Sequence, residues 1–220
     1  MTIQLVRLAK RFPGLSIDDF QRQADRACDW SSAAPHGLRG ATQALTLPGA
    51  YRRGEPVCDA IDELAFDDEA SVARCLADQA FRRAWASDLL NQASIACLIV
   101  TEYVVKPGPV PASFVKNYEI VTKRPDLDRA EFDRYWARVH GPLAAKIPTI
   151  ARYVQAHLAP GAQASGAAPF DGLAITWFSD VAAMRAGAAT EAYVRTRADE
   201  RNFLAGELPF IIATERVTFD

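Results

Sequence analysis

Apolar positions along the chain fall into two patterns, short runs and stripes at helical spacing. Phe132, Trp136, Val139 and Leu143 recur every three or four residues and define one face of a helix. Arg129, Asp133, Arg134 and Arg138 take the opposite, solvent face. Asp128 stands as N-cap, Glu131 completes a capping-box variant, and Pro125-Asp126 before them is turn chemistry. Gly141-Pro142 predicts that this helix stops or kinks, with Gly in a left-handed cap and Pro lacking an N–H. His140 then lies in the last turn, on the inward side with Trp136 and Leu143. The helix dipole there favours the imidazolium and burial favours the neutral ring, a conflict that sets the group near neutral pH.

The same order of signals occurs earlier. Ile3 to Ala9 is an apolar run, Pro13-Gly14 a turn, Ser16 a cap, Asp19 its capping-box partner and Phe20 the start of the apolar side. An offset of 112 residues (125 − 13) pairs Pro13 with Pro125, Ser16 with Asp128, Phe20 with Phe132, Asp68 with Asp180 and Phe81 with Tyr193. A register kept this long marks an internal duplication. Each half reads strand, helix, strand, strand, helix, strand. The strands are expected at Ile3–Ala9, 40–47, 64–66 and 96–105, and at 115–123, 152–159, 173–178 and 210–219. The second helix of each half is expected as one piece, 71–87 and 181–202. The fold class is therefore α+β, two ferredoxin-like βαββαβ units. Helices cover one sheet face only, so the two units are expected to bury their other faces as an intramolecular dimeric α/β-barrel. The division expected is a first unit over 1–106, a Pro-rich linker over 107–113 and a second unit over 114–220. The small-residue insert 161–169 reads as a loop, a lid or slack.

Net charge of −2 and the absence of a basic run argue against nucleic-acid binding. No apolar run reaches membrane-spanning length, and the start of the chain lacks a signal-peptide pattern. Cys28, Cys58, Cys75 and Cys97 are widely spaced without Cys-x-x-Cys, which fits reduced thiols and a cytoplasmic setting. His36, His140 and His157 show no metal-ligand spacing, so no metal and no cofactor is expected.

Lys123, Arg124, Pro125, Leu127, Glu131, Phe132, Tyr135, Trp136, His140, Pro142 and Leu143 form a string that resembles the EthD-like family. Tyr153-Val154-Gln155, Phe170-Asp171-Gly172 and Trp177-Phe178 are similar to further pieces of it. The first half resembles the family in Arg11 to Ser16 and Asp19-Phe20 but departs where it matters. Gln23 and Ala24 replace Tyr135 and Trp136, and Cys28 stands for His140. The resemblance implies the dimeric α/β-barrel fold. It also implies activities of the cofactor-free isomerase and dehydratase kind, or accessory roles in catabolic pathways.

The resemblance further implies a pocket between helices and sheet of one unit, entered by His140. Tyr153, Gln155 and His157 share one face of their strand by alternation, and aromatic walls are expected from Tyr118, Trp136 and Trp177. His140 is the expected general acid or base, because its ordinary pKa is near neutrality. Tyr135 or Tyr153 is the expected donor to a developing enolate oxygen. Plainer readings stand beside these. Both tryptophans read first as core, His157 as an ordinary sheet residue, His36 as exposed, and Cys28 as small buried packing rather than a reactive thiol. The expected function is a small cofactor-independent lyase or isomerase acting on a cyclic or aromatic-derived carbonyl compound. The alternatives are a non-catalytic ligand-binding protein of a catabolic pathway, or an oxidoreductase-associated component. That last role needs a haem, flavin or metal, for which no Rossmann glycine motif or Cys-x-x-Cys-His is present; similar barrels can bind haem through one histidine. Small molecules are the expected partners, and a homodimer beyond the internal pair stays open. One working pocket is expected, in the second half.

Overall fold

The computed structural model describes residues 2–220 except 28, 53, 166 and 167, together with the backbone but not the side chains of 25–27 and 163–165. The earlier readings of Cys28 therefore lie outside the described residues, as does part of the 161–169 insert. The start of that insert is helical, α6 Pro160–Ser165 in chain order, and the Gly161 N–H donates to Glu69 Oε2 at 2.9 Å.

The chain divides into two compact units. One comprises Met1–Thr101, Leu158–Pro169 and Glu215–Asp220; the other comprises Glu102–His157 and Phe170–Thr214. In the first, β1 (Ile3–Ala9) lies between β3 (Ala60–Phe66) and β4 (Ala96–Lys106), and β2 (Leu38–Thr46) flanks β3, all antiparallel. In the second, β5 (Val115–Val121) lies between β7 (Gly172–Phe178) and β8 (Phe210–Phe219), with β6 (Arg152–Leu158) beside β7. Both are the split βαββαβ arrangement, so the fold class is α+β with two ferredoxin-like units.

The repeat holds in three dimensions. β1 and β5, and β3 and β7, are 112 residues apart at both ends (115 − 3; 172 − 60). The helices α1 (Ile17–Ala27) and α4 (Arg129–Tyr135) begin at the same offset. Asp68 and Asp180 sit at matching N-caps in extended backbone, accepting from Ser71 N and Ala183 N at 2.7 Å each. Asp59 and Asp171 each hold the backbone N–H just past the preceding strand, those of Arg11 (2.7 Å) and Lys123 (2.8 Å). The Arg11 and Lys123 positions thus share a structural role.

Two elements differ from the sequence reading. β3 begins at Ala60, not 64, because Asp62 and Glu63 break the apolar pattern; Asp62 is fully buried because it pairs with Arg7 at 2.7 Å. The second helix of each unit is two helices. Asp78 ends α2 (Glu69–Ala77) and its carboxylate caps α3 (Gln79–Ala86) through Ala80 N and Phe81 N. Thr190 likewise separates α7 (Val181–Ala188) from α8 (Glu191–Asp199) by accepting from Tyr193 N. A polar cap of this kind contributes about 1 kcal/mol, enough to fix a break where helical periodicity alone continues. His36 is half-buried rather than exposed, with Nε2 3.2 Å from Asp78.

Candidate active site

The helix carrying His140 does not end at Gly141. Its backbone there is right-handed (φ −51°, ψ −53°), and the chain runs from α4 through a π-helical turn, Trp136–His140, into α5 (Gly141–Ala144). The expected left-handed cap is corrected by this geometry. The wider turn lets Pro142 follow without its ring pressing on the carbonyl a turn back. Gly141 is required by close approach: a Cβ would meet Gln155 Nε2 at 3.1 Å, Val105 Cγ1 at 3.2 Å and the Trp136 carbonyl at 3.3 Å. π-turns of this kind often mark functional positions, because they re-aim one side chain.

β6 pins the turn. Gln155 Nε2 donates to the Trp136 carbonyl (2.9 Å) and to the Tyr153 hydroxyl (3.0 Å). His157 bridges Gln155 Oε1 (3.1 Å) and Asp133 (3.0 Å), and its ring packs 4.3 Å from that of Trp136. Trp136 closes on Gly172, where a Cβ would stand 2.8 Å from the indole. Trp136, Gln155 and His157 are therefore not cavity walls, as expected from sequence, but the support that sets the position of His140.

His140 is buried, and its Nδ1 lies 3.0 Å from Asp199 Oδ2. The other oxygen of Asp199 accepts from the Tyr135 hydroxyl (2.7 Å) and Asn202 Nδ2 (2.9 Å). Burial pushes the Asp199 carboxyl up, but the bonds from Tyr135, Asn202 and His140 together hold it below the usual range. An ionised carboxylate only accepts, so Nδ1 carries the hydrogen and Nε2 presents its lone pair. Burial lowers the His140 pKa, opposed by Asp199, so the ring is neutral at pH 7. Tyr135 does not line the cavity. Its hydroxyl is taken by Asp199, and it acts as a positioning residue.

His140 stands at the wall of a cavity of about 450 Å³ within the second unit. The cavity is apolar over much of its surface, through Ile147, Ile150, Phe178 and Met184. Its polar groups include Asn117, Glu119, Tyr153, Thr176, Arg197 and Glu200, with Arg185, Tyr193, Thr196 and Glu207 beside them. Tyr153 is fully buried, and burial raises its pKa, keeping the hydroxyl protonated. Arg197 lies between two carboxyls, 2.8 Å from Glu200 and 3.9 Å from Glu119. Burial raises both, Glu200 to about 7, because one guanidinium incompletely offsets two desolvated acids. Tyr118 and Trp177 do not line the cavity. Strand alternation turns Asn117, Glu119, Thr176 and Phe178 toward it, so Tyr118 and Trp177 point to the opposite sheet face. There Lys116 Nζ sits 4.7 and 4.6 Å from their rings.

Asp199, Glu200, Arg197, Glu119 and Asn117 were missed by reading the second half alone. The repeat carried the signal. At the 112 offset their first-half counterparts include Leu5 for Asn117, Arg7 for Glu119, Leu64 for Thr176 and Trp85 for Arg197. Polar groups that replace core residues at inward-facing positions of a duplicated unit point to a site.

Fold and site together define a chain of two ferredoxin-like units of the dimeric α/β-barrel class, with a cavity in the second lined by His140 and Glu200. Residues 124–207 match the model of the EthD domain family. No curated protein matches the sequence. Among solved structures, an anthrone oxidase-like protein aligns over 99% of this chain and 93% of its own, at 12% identity and TM-score 0.65. A mutant chlorite dismutase from Candidatus Nitrospira defluvii aligns over 98% and 91%, at 9% identity and TM-score 0.59. An EthD family protein from Bacillus halodurans covers 45% of this chain and 95% of its own, at 20% identity and TM-score 0.38. The first two likenesses, at such low identity, show the shared fold. No helix among the described residues is long and apolar enough to cross a membrane. Among those residues no group of three or more His, Cys, Asp or Glu is placed to hold a metal ion.

Proposed function

We propose that the second unit catalyses proton transfer on an enolisable cyclic carbonyl compound, as an isomerase or dehydratase, with His140 as general base. The reading is carried by the His140–Asp199 pair at the wall of a largely apolar cavity, with Nε2 left for a ligand. Nε2 takes the proton from the carbon next to the carbonyl, and the C–H electron pair forms the enolate double bond. Tyr153, whose oxygen accepts from Gln155, turns its own O–H to the enolate oxygen. Asp199 holds the imidazolium that results. A carboxyl of the Glu119–Arg197–Glu200 group returns a proton. It goes to another carbon in an isomerisation, or to a departing hydroxyl, which leaves as water in a dehydration.

The test is deuterium exchange into 1-tetralone, followed by proton NMR in D2O. The wild-type protein is expected to accelerate exchange next to the carbonyl. His140→Ala is expected to lose about 10²–10⁴ of that rate while melting normally. Equal rates in the two proteins sink the proposal. Saturable binding without exchange above buffer replaces it with the ligand-binding reading, in which His140 only orients its guest.

A further inference from the structure

α8 turns one face to the cavity, with Tyr193, Thr196, Arg197 and, just past its end, Glu200. Thr196 donates its hydroxyl to the Ala192 carbonyl at 2.8 Å, and Arg197 is held by Glu200 at 2.8 Å. The Tyr193 hydroxyl differs from both. Among the described residues it has no hydrogen-bond partner, and it is not one of the side-chain oxygens sealed from solvent. Tyr193 is half-buried, so a molecule in the cavity can reach that hydroxyl. In the first unit the corresponding residue is Phe81, fully buried in the core. The two side chains differ by one oxygen, so packing of this helix does not itself require the hydroxyl. His140 meets the other end of α8, through Asp199. Tyr193 lies six residues before Asp199 (199 − 193), about 9 Å along the axis at 1.5 Å per residue. That separation suits a two-ring skeleton with a substituent at its far end.

We infer that Tyr193 is a specificity-determining residue whose hydroxyl donates to a second oxygen of the ligand, at the end of the cavity away from His140. The substrate is then a cyclic carbonyl compound that carries a second carbonyl oxygen far from its enolisable carbon. This rests on the proton-transfer reading of the same cavity. A phenol donates more readily than it accepts, because its oxygen lone pair is drawn into the ring, so the matching ligand group is an acceptor. The hydroxyl is half-buried, so an analogue without the oxygen leaves it partly hydrated, and the discrimination is that of one neutral hydrogen bond.

Calorimetric titration with 6-acetyl-1-tetralone, 7-acetyl-1-tetralone and their isopropenyl counterparts tests it, since a CH2 group replaces the second oxygen and the shape is kept. Wild-type protein is expected to bind at least one acetyl compound about five- to tenfold tighter than its isopropenyl counterpart. Tyr193→Phe, which installs the residue of the first unit and removes only the oxygen, is expected to abolish that preference and to leave the isopropenyl affinities unchanged. His140→Ala is expected to keep the preference while losing deuterium exchange into 1-tetralone, so a failed base and a failed oxygen seat give different results. No saturable binding of either acetyl compound, equal affinity within both pairs in the wild type, or a preference that survives Tyr193→Phe overturns the inference.

Discussion

The two units start from one plan and put opposite things on the helix-facing side of the sheet. In the first, Leu5, Leu64, Phe66, Val72, Cys75, Phe81 and Trp85 join Trp30 in a closed core. The ring centroids of Trp30, Phe81 and Trp85 stand 5.4 to 6.0 Å apart, and Arg7 lies over both indoles, held by Asp62. In the second unit, the 112 offset places Asn117, Thr176, Phe178, Met184, Gly187, Tyr193 and Arg197 at those same seven strand and helix positions, and all seven line the cavity. With Arg197 in place of the Trp85 ring and polar groups in place of Leu5 and Leu64, the second unit has a cavity where the first has a core, while β1/β5 and β3/β7 keep the same bounds. A duplicated fold can thus keep one copy for packing and open the other for chemistry.

The largest effect expected from breaking this contrast is on His140. His140→Ala should lower deuterium exchange by about 10²–10⁴ with little change in melting, as NMR and calorimetry would read. On the packed side, Trp85→Ala leaves Trp30, Phe81 and Arg7 facing a void and should cost about 3–5 kcal/mol by urea unfolding. A loss under 1 kcal/mol would mean that the first unit is not the filled copy described above.

Asp199→Asn keeps the shape but removes the charge that fixes the His140 tautomer. It should lower exchange roughly 10–100-fold at neutral pH, by analogy with other outer partners of functional histidines, and less at acid pH, because without the Asp199 charge the His140 pKa falls further and more of the ring stays neutral.

The smallest effect concerns Glu200. Its pKa is about 7 in the folded protein against 4.5 ordinarily, so the folded state binds the proton more tightly than the unfolded state. Stability from this group is full below about pH 4.5 and falls as pH rises toward 7. Glu200→Gln should therefore be more stable than wild type at pH 8 by about 1–2 kcal/mol, since solvent at the cavity screens part of the cost. The two proteins should converge at pH 4. In activity, the His140 base is lost below the ordinary histidine range and the Glu200 acid is lost above about 7. The wild-type profile should be a bell whose alkaline limb the variant flattens.

Much of the fold was legible because the repeat doubled every weak signal. Asp68 and Asp180, or Ser16 and Asp128, are unremarkable singly and decisive as pairs at one offset. The helix breaks at Asp78 and Thr190 were not, because apolar periodicity runs across them while the caps act through backbone N–H groups. At the site, His140 and Tyr153, singled out by helical spacing, strand alternation and the family resemblance, both line the cavity. Tyr118 and Trp177 were placed on the wrong sheet face because aromatic character was weighed above the alternation that Asn117 and Glu119 obey. The left-handed stop at Gly141 failed because sequence gives no sign of a π-turn; the cause is the Gln155 side chain, which arrives from another strand. Asp199 was invisible for the same reason, being brought to His140 only by packing of α8.

The central claim is that the second unit holds the working site and the first is its filled copy. It is tested most directly by calorimetric titration of 1-tetralone into wild type and into Thr176→Leu/Arg197→Trp, which carries the first unit's residues at both positions. One ligand per chain in the wild type and none in the variant is the result predicted. Two per chain in the wild type, or one retained in the variant, would contradict the account.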